Sequence, residues 1–358
     1  MLSTVKAATG LYVNWDTVAC VDKKTLFWLN STTKEKPRDV ILRKETELAY
    51  ALELALHEGG REYLVSKYLY DKVNRLFPKR ERRLGGNGFN MGRALMMLGL
   101  NPLVAYPCRP KDIMYHSPPF KVATRRGTST PREAVKKGDP SYDHIIFEMT
   151  KKSSTVPGKL IFSWDPMSWN GLWDHSFLEQ ASNSEDTDVL CLGYAHLLLP
   201  SKNKKTDELV DRLNHEDRPR VHLEVGEGSF GSMNYAIRKF VEADCVDSIG
   251  LNEKECVKYL GAKSEDLNNL RDSAIEAAQK FDINRICVHT QNQVFSISRL
   301  DTNREVEALR TGGSVASSLT FGARAGAVLP RVRRWFREQK PLKKRFGKFS
   351  FCCLHSFA

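Results

Sequence analysis

VHLEVGEGSFGSMNYAIRKFVEADCVDSIGLN, residues 221 to 252, holds one full cycle of the pattern that decides the fold. VHLEV (221 to 225) and VDSIGLN (246 to 252) are short runs rich in Val, Leu and Ile, as strands buried on both faces should be. Between them Phe230, Met233, Ile237, Phe240 and Val241 recur at helical spacing. The cycle repeats on either side. KLIFSWD (159 to 165) and VLCLGYA (189 to 195) precede it, and RICVHT (285 to 290) follows a second helical stripe of Leu267, Leu270, Ala274, Ile275, Ala278 and Phe281, for which Ser264 is the expected N-cap. Alternation of strand and helix from 159 to 290 predicts an α/β fold: a central, mostly parallel sheet flanked by helices, with a ligand crevice at the carboxyl ends of its strands.

Further strands are expected at GLYVNWDTV (10 to 18), PLVAYP (102 to 107) and HIIFEM (144 to 149). Residues 44 to 77 read as one long helical stretch interrupted at Gly59 and Gly60, and residues 106 to 143, rich in Pro, Lys and Ser, as loops and short strands suited to a lid.

The chain has 358 residues, 41% of them hydrophobic and 27% charged, enough for a large core or two domains. No apolar run is long enough to span a bilayer, and the start, MLSTVKAATG, lacks the features of a secretory signal, so a cytoplasmic protein is expected. Eight cysteines without a CxxC pair read as reduced core thiols. Of the net charge of +12, residues 331 to 348 contribute +8, with nine Lys/Arg against Glu338 alone. A nucleic-acid surface would spread its charge over a folded face. Here it is concentrated at the terminus, which reads as a disordered or misassigned basic tail, with binding of RNA or acidic lipid through it as the alternative.

Four constellations carry chemistry. Gly85, Gly86, Asn87 and Gly88 precede a helix, where bare backbone amides can receive a polar ligand; a plain tight turn is the alternative, since neither GxGxxG nor the P-loop pattern is met. Asn14 and Asp16 share one face of a strand and need polar partners, unless an Asx turn ends the strand there. His222 and Glu224 also share a face, and Asn252 and Glu255 open the helix after the next strand; together they can hold Mg²⁺ through its waters. The alternatives are a satisfied core histidine and an ordinary first-turn acid.

The ordered set resembles the ADP-dependent glucokinase and phosphofructokinase family, within the ribokinase-like superfamily: an N-x-D strand, GGN before a helix, HIIFE with His144 and Glu148, a strand ending at Asp165, CLGYAHLL, then H-x-E and N-x-x-E, from about residue 10 to 326. The resemblance implies a large α/β nucleotide domain, drawn mainly from 80–105 and 159–327, and a small α/β lid drawn from parts of 10–165. Residues 328–358 form a divergent tail outside this 1–327 unit. It also implies transfer of the β-phosphate of ADP to a hydroxyl of glucose or fructose 6-phosphate in glycolysis, with Mg²⁺, by a monomer. Asn14, Asp16, Gly85, Gly86, Asn87 and His144 match the family's sugar-contacting positions. His222, Glu224, Asn252 and Glu255 match those that organise magnesium and the diphosphate.

One departure stands out. The family's G-x-G-D loop, with its anion hole and catalytic aspartate, is absent; the only Gly-Asp pair is Gly138-Asp139. Thr311-Gly312-Gly313-Ser314 either takes that place, with Gly313 where the base should be, or belongs to the preceding small-residue helix, which the spacing favours. An impaired kinase is therefore expected. A non-catalytic sugar-binding or scaffolding protein is the alternative, and an ATP-using ribokinase relative a weaker one. Arg82, Arg83, Arg109 and Lys111 are the candidates for contacting a sugar phosphate, with a solvated surface as the alternative reading of all four.

Overall fold

A computed structural model describes residues 4–38, 41–58, 61–77, 79–149, 158–193, 200–226, 230–290, 292–321 and 325–355. Gly59 and Gly60, and the YAHLL part of the CLGYAHLL stretch, lie outside these residues.

Among the described residues the larger of two main sheets has nine strands in the order β16-β17-β15-β14-β13-β12-β11-β1-β6. Its parallel part is β6 (Leu103–Val104), β1 (Ala7–Gly10), β11 (Val189–Gly193), β12 (Arg220–Glu224), β13 (Ser248–Asn252) and β14 (Arg285–His289). β11 to β14 are the strands expected at 189, 221, 246 and 285, and crossover helices such as Phe230–Glu242 and Leu267–Lys280 join them, whereas the strand expected at 159 to 165 belongs to the second sheet, where it runs antiparallel to its neighbour Asp143–Met149. The core lies between sheet and helices: Leu190, Leu192, Val221, Leu223, Ile249, Leu251, Ile286 and Val288 pack with Met233, Ile237, Phe240, Leu270 and Ala274. The Leu267–Lys280 helix starts differently from expectation. Its N-cap is Asp266, which accepts the Asn268 and Asn269 amides, while the Ser264 hydroxyl bonds to Asp266 instead.

Beyond β14 the sheet turns antiparallel through β15 (Gln293–Ser298), β17 (Phe349–His355) and β16 (Leu342–Phe346). The expected disordered tail is thus corrected. Residues 325–355 are a helix, Ala325–Glu338, and a hairpin whose second strand pairs on both sides. The physical reason is an apolar pattern masked by the surrounding charge. Leu329, Val332 and Phe336 are buried along one helix stripe, of which Val332 and Phe336 pack with Val306, Leu309, Cys352 and Leu354, while Phe349, Phe351 and Cys353 join the main core.

The second sheet has six strands, ordered β3-β4-β10-β9-β2-β5: Ile41–Leu42, Glu62–Val65, Gly158–Ser163, Asp143–Met149, Asn14–Ala19 and Lys79–Gly85 respectively. The stretch expected as one interrupted helix is two helices, Glu45–Glu58 and Lys67–Leu76, with β4 between them. Both lie on one face of this sheet, burying Leu48, Leu52, Leu69 and Val73 against Ile145, Phe147, Leu160 and Phe162. A small hairpin of β7 (Val122–Thr124) and β8 (Gly127–Ser129) sits in the region expected to hold loops and short strands. Val13, Trp15 and Leu84 from the second sheet meet Phe89, Val104, Tyr106 and Phe120 in a shared apolar cluster, which ties the two sheets together. All eight cysteines are free thiols.

Candidate active site

Strand alternation aims a polar group at the helix-free face of the second sheet. Asp16 on β2 is the register partner of His144 on β9, and His144 is the partner of Ser163 on β10. Since Ile145, Phe147 and Phe162 point into the helices, their neighbours point the other way. The Ser163 hydroxyl donates to Glu62 Oε1 at 3.0 Å. His144 lies between carboxylates, with Nδ1 3.8 Å from Glu62 Oε1 and Nε2 3.7 Å from Asp165 Oδ2. Burial alone would push its pKa down, but Asp165, Glu62 and Asp16 outweigh burial and raise it to about 9. Burial raises Asp165 in turn, yet the His144 contact and hydrogen bonds from Ser168 hold it below the ordinary value. Asp16 is pushed up, mainly by burial.

Asn14 lies within this sheet and is fully buried. Its Nδ2 donates to Asp16 Oδ1 at 2.9 Å and to the Trp15 carbonyl at 3.0 Å, while its Oδ1 has no hydrogen-bond partner among the described residues. Asn14 and Asp16 are thus strand residues rather than parts of an Asx turn. The glycine run comes up to them. A Cβ on Gly85 would stand 2.1 Å from Asp16 Oδ2, and one on Gly86, at φ 89°, 2.7 Å from Asn14 Oδ1. Gly86 is also the N-cap of the Asn87–Met97 helix and leaves its amides without a side-chain cap. An acceptor, a carboxylate and helix-end amides without a side-chain cap therefore converge where only glycine leaves room, the donor and acceptor mix that a sugar hydroxyl matches.

The carboxylate group from the other motifs lies next to it. Asn87 rests against Gly193, where a Cβ would be 2.1 Å from the Asn87 Cβ. Gly193 ends β11 as the register partner of Glu224 on β12. His222 Nε2 is 3.3 Å from Glu224 Oε2, and His289 Nε2 is 3.8 Å from Oε1. Burial would raise the Glu224 pKa, but the His222 hydrogen bond and the charges of His289, His222 and Arg285 prevail and lower it. His222 lies on an interior strand of the sheet, half-buried and hydrogen-bonded to Ser248 Oγ, rather than enclosed in the apolar core.

Asn252 and Glu255 form a reciprocal capping box: Asn252 Oδ1 accepts the Glu255 amide at 2.9 Å and Glu255 Oε2 accepts the Asn252 amide at 2.8 Å. The first-turn-acid reading therefore describes these bonds of Glu255. Among the described residues no three His, Cys, Asp or Glu side chains gather as a metal cage. Mg²⁺ does not need one, since it keeps most of its waters and takes one or two carboxylates beside substrate phosphates. An ionised Glu224 at the strand ends fits that donor set.

Among the candidate cations, Arg109 is 3% exposed and consumed: its Nη2 pairs with Asp174 at 2.9 Å and donates to the Ala123 carbonyl at 2.7 Å. Arg82 stacks over Trp15 and pairs with Asp143 at 2.8 Å, and Lys111 lies over the Tyr115 ring. Arg83, the register partner of Asp16, is the one of the four on the site face. Thr311-Gly312-Gly313-Ser314 is helical, inside Thr302–Leu319, with Gly313 against the Phe336 ring. It is not a catalytic loop, as the spacing favoured. Glu62, Ser163 and His289 escaped the sequence reading. Glu62 lies on a strand read as helix, whereas His289 could have been found, since alternation from Arg285 brings it to the face and strand end where Glu224 lies.

Three comparisons place this geometry. The ADP-specific phosphofructokinase/glucokinase conserved region matches residues 5–317. Among solved structures, a hypothetical ADP-dependent phosphofructokinase from Pyrococcus horikoshii OT3 superposes with a TM-score of 0.72 at 15% identity, covering 98% of this chain and 92% of that one. An ADP-dependent kinase in complex with fructose-6-phosphate and ADPbetaS gives 0.72 at 14% identity, covering 100% and 89%. A phosphofructokinase-2 mutant from Escherichia coli gives 0.54 at 11%, covering 93% and 99%, which supports the ribokinase-like fold. Among curated proteins no sequence match is found.

Proposed function

The chain belongs to the ADP-specific phosphofructokinase/glucokinase family, and from that membership we propose that it binds ADP and a hexose or hexose phosphate and transfers the β-phosphate of ADP to a sugar hydroxyl. The observation that carries this reading is the buried, unpartnered Asn14 Oδ1 facing Gly86 beside Asp16 and an uncapped helix end, one strand from Glu224. Asn14, Asp16 and the glycine run would orient the sugar, with His144 holding Asp16 and Asp165 in place. The open end of the Asn87–Met97 helix would receive negative charge on the phosphate. Glu224 would hold Mg²⁺ through its water shell; when bound, the ion supplies charge neutralisation on the diphosphate. The fructose-6-phosphate and ADPbetaS complex of a structural neighbour is consistent with these ligands.

Turnover is expected to be slow. A missing general base forfeits about 10² to 10⁴ in rate and a missing anion hole about 10² to 10³, losses that need not multiply. The absent G-x-G-D and the helical Thr311–Ser314 stretch also favour a second reading, a sugar or nucleotide binder without turnover.

Calorimetry with glucose and with fructose 6-phosphate tests the site. Asp16→Ala weakens binding and Gly86→Val blocks it, whereas affinity that survives both removes this crevice from sugar recognition. Formation of AMP from ADP and hexose separates slow kinase from binder, and ATP as an equal donor would count against ADP dependence.

A further inference from the structure

We propose that Ser248 is a positioning residue that sets the tautomer of His222 and so holds Glu224 in place, through a hydrogen-bond chain anchored on the buried Arg285–Glu305 pair. The register builds the chain. Ser248 on β13 is the Cα partner of both His222 on β12 and Arg285 on β14, so three consecutive strands present these side chains on one face. Glu305, in the first turn of the Thr302–Leu319 helix, is fully buried. It accepts from Arg285 Nε at 2.9 Å and lies 2.8 Å from Nη2. Arg285 Nη1 donates to Ser248 Oγ at 3.4 Å, Ser248 Oγ lies 3.0 Å from His222 Nδ1, and His222 Nε2 lies 3.3 Å from Glu224 Oε2.

Donor chemistry gives the chain its direction. A guanidinium only donates, so the Ser248 oxygen accepts from Arg285 and its own proton is left for His222 Nδ1. Nδ1 then acts as acceptor, the ring proton resides on Nε2, and Nε2–H points at the carboxylate. With Nε2 facing a carboxylate, which only accepts, and Nδ1 facing a hydroxyl that can donate, the Nε2–H tautomer is the one that satisfies every partner in the row. Glu305 keeps Arg285 from swinging out of the row. The adjacent residue on β13 in the direction of Glu224 on this face is Gly250, where a Cβ would meet Glu224 Oε2. The carboxylate thus lies across the strand, and its orientation is left to His222 on one oxygen and His289 on the other.

The role in ligand binding rests on the reading of Glu224 given above, so the test has two arms. Side-chain ¹⁵N NMR of His222 should show the Nε2–H tautomer in the wild-type chain, a mixture or the Nδ1–H form in Ser248→Ala, and recovery in Ser248→Thr. An unchanged tautomer in Ser248→Ala overturns the proposal. In the second arm, calorimetry on Mg·ADP should show affinity about tenfold weaker in Ser248→Ala, the scale of outer-shell partners, with Ser248→Thr near wild type. In a Glu224→Gln background the same change should add nothing. Losses that simply add would mean that Ser248 acts on the fold and not through Glu224, and would overturn the proposal. If Glu224→Gln alone leaves Mg·ADP binding intact, the functional reading of Glu224 fails, and the NMR arm decides the hydrogen-bond chain by itself.

Discussion

At the residue scale His144 makes the most specific prediction. Its folded-state pKa, about 9, lies above the ordinary value of 6.5, so the folded protein holds this proton more tightly than the unfolded chain. The stabilisation is complete below about pH 6.5 and is lost as pH rises through about 9. Denaturant melts across that interval should therefore show stability falling with pH in the wild-type protein. The fall should be shallower in His144→Gln, which keeps a polar side chain of similar reach but does not titrate. Parallel pH profiles would mean that His144 is already neutral near pH 7. His144 was a candidate through the family resemblance of the HIIFE stretch, and its face follows from the register of the second sheet. Its charge could not be read in the same way, because Asp165, Glu62 and Asp16 arrive from three other points in the chain.

At the scale of elements, Asn252 and Glu255 separate local structure from site chemistry. A capping box is written in residues three apart, so its geometry was available from the sequence; the bonds of Glu255 with Asn252 are those of a helix start. Asn252→Ala should lower stability by about 0.5 to 2 kcal/mol, the usual scale for an N-cap. Mg·ADP affinity should fall less than in Glu224→Gln, and an equal fall would draw the box into the nucleotide site. The Thr302–Leu319 helix teaches the complementary point. Spacing along the chain favoured a helix through Gly312 and Gly313, but what Gly313 packs on, the Phe336 ring from the Ala325–Glu338 helix, is a contact no local pattern contains.

At the scale of the molecule, the C-terminal segment is a structural part of the sheet. Removing residues 325 to 358 would take away β17, a strand paired on both edges, and uncover Val306, Leu309, Phe295 and Ile297. The truncated chain is expected to lose cooperative unfolding and to bind a hydrophobic dye. A sharp thermal transition near that of the full chain would show the segment to be dispensable.

Period and order along the chain determined the α/β class, the parallel core from β11 to β14, and the ordered motifs of the ADP-dependent sugar kinases, because these depend on residues close in sequence. The tertiary structure alone decided that Glu62 and Asp165 flank His144, that Arg109 is spent on Asp174, that Asn87 meets Gly193 beside Glu224, and that the basic terminus folds as a helix and a hairpin of the main sheet. Each of these depends on burial and on partners distant in sequence, and the energy of a charged or polar group is set by what surrounds it rather than by its neighbours in the chain.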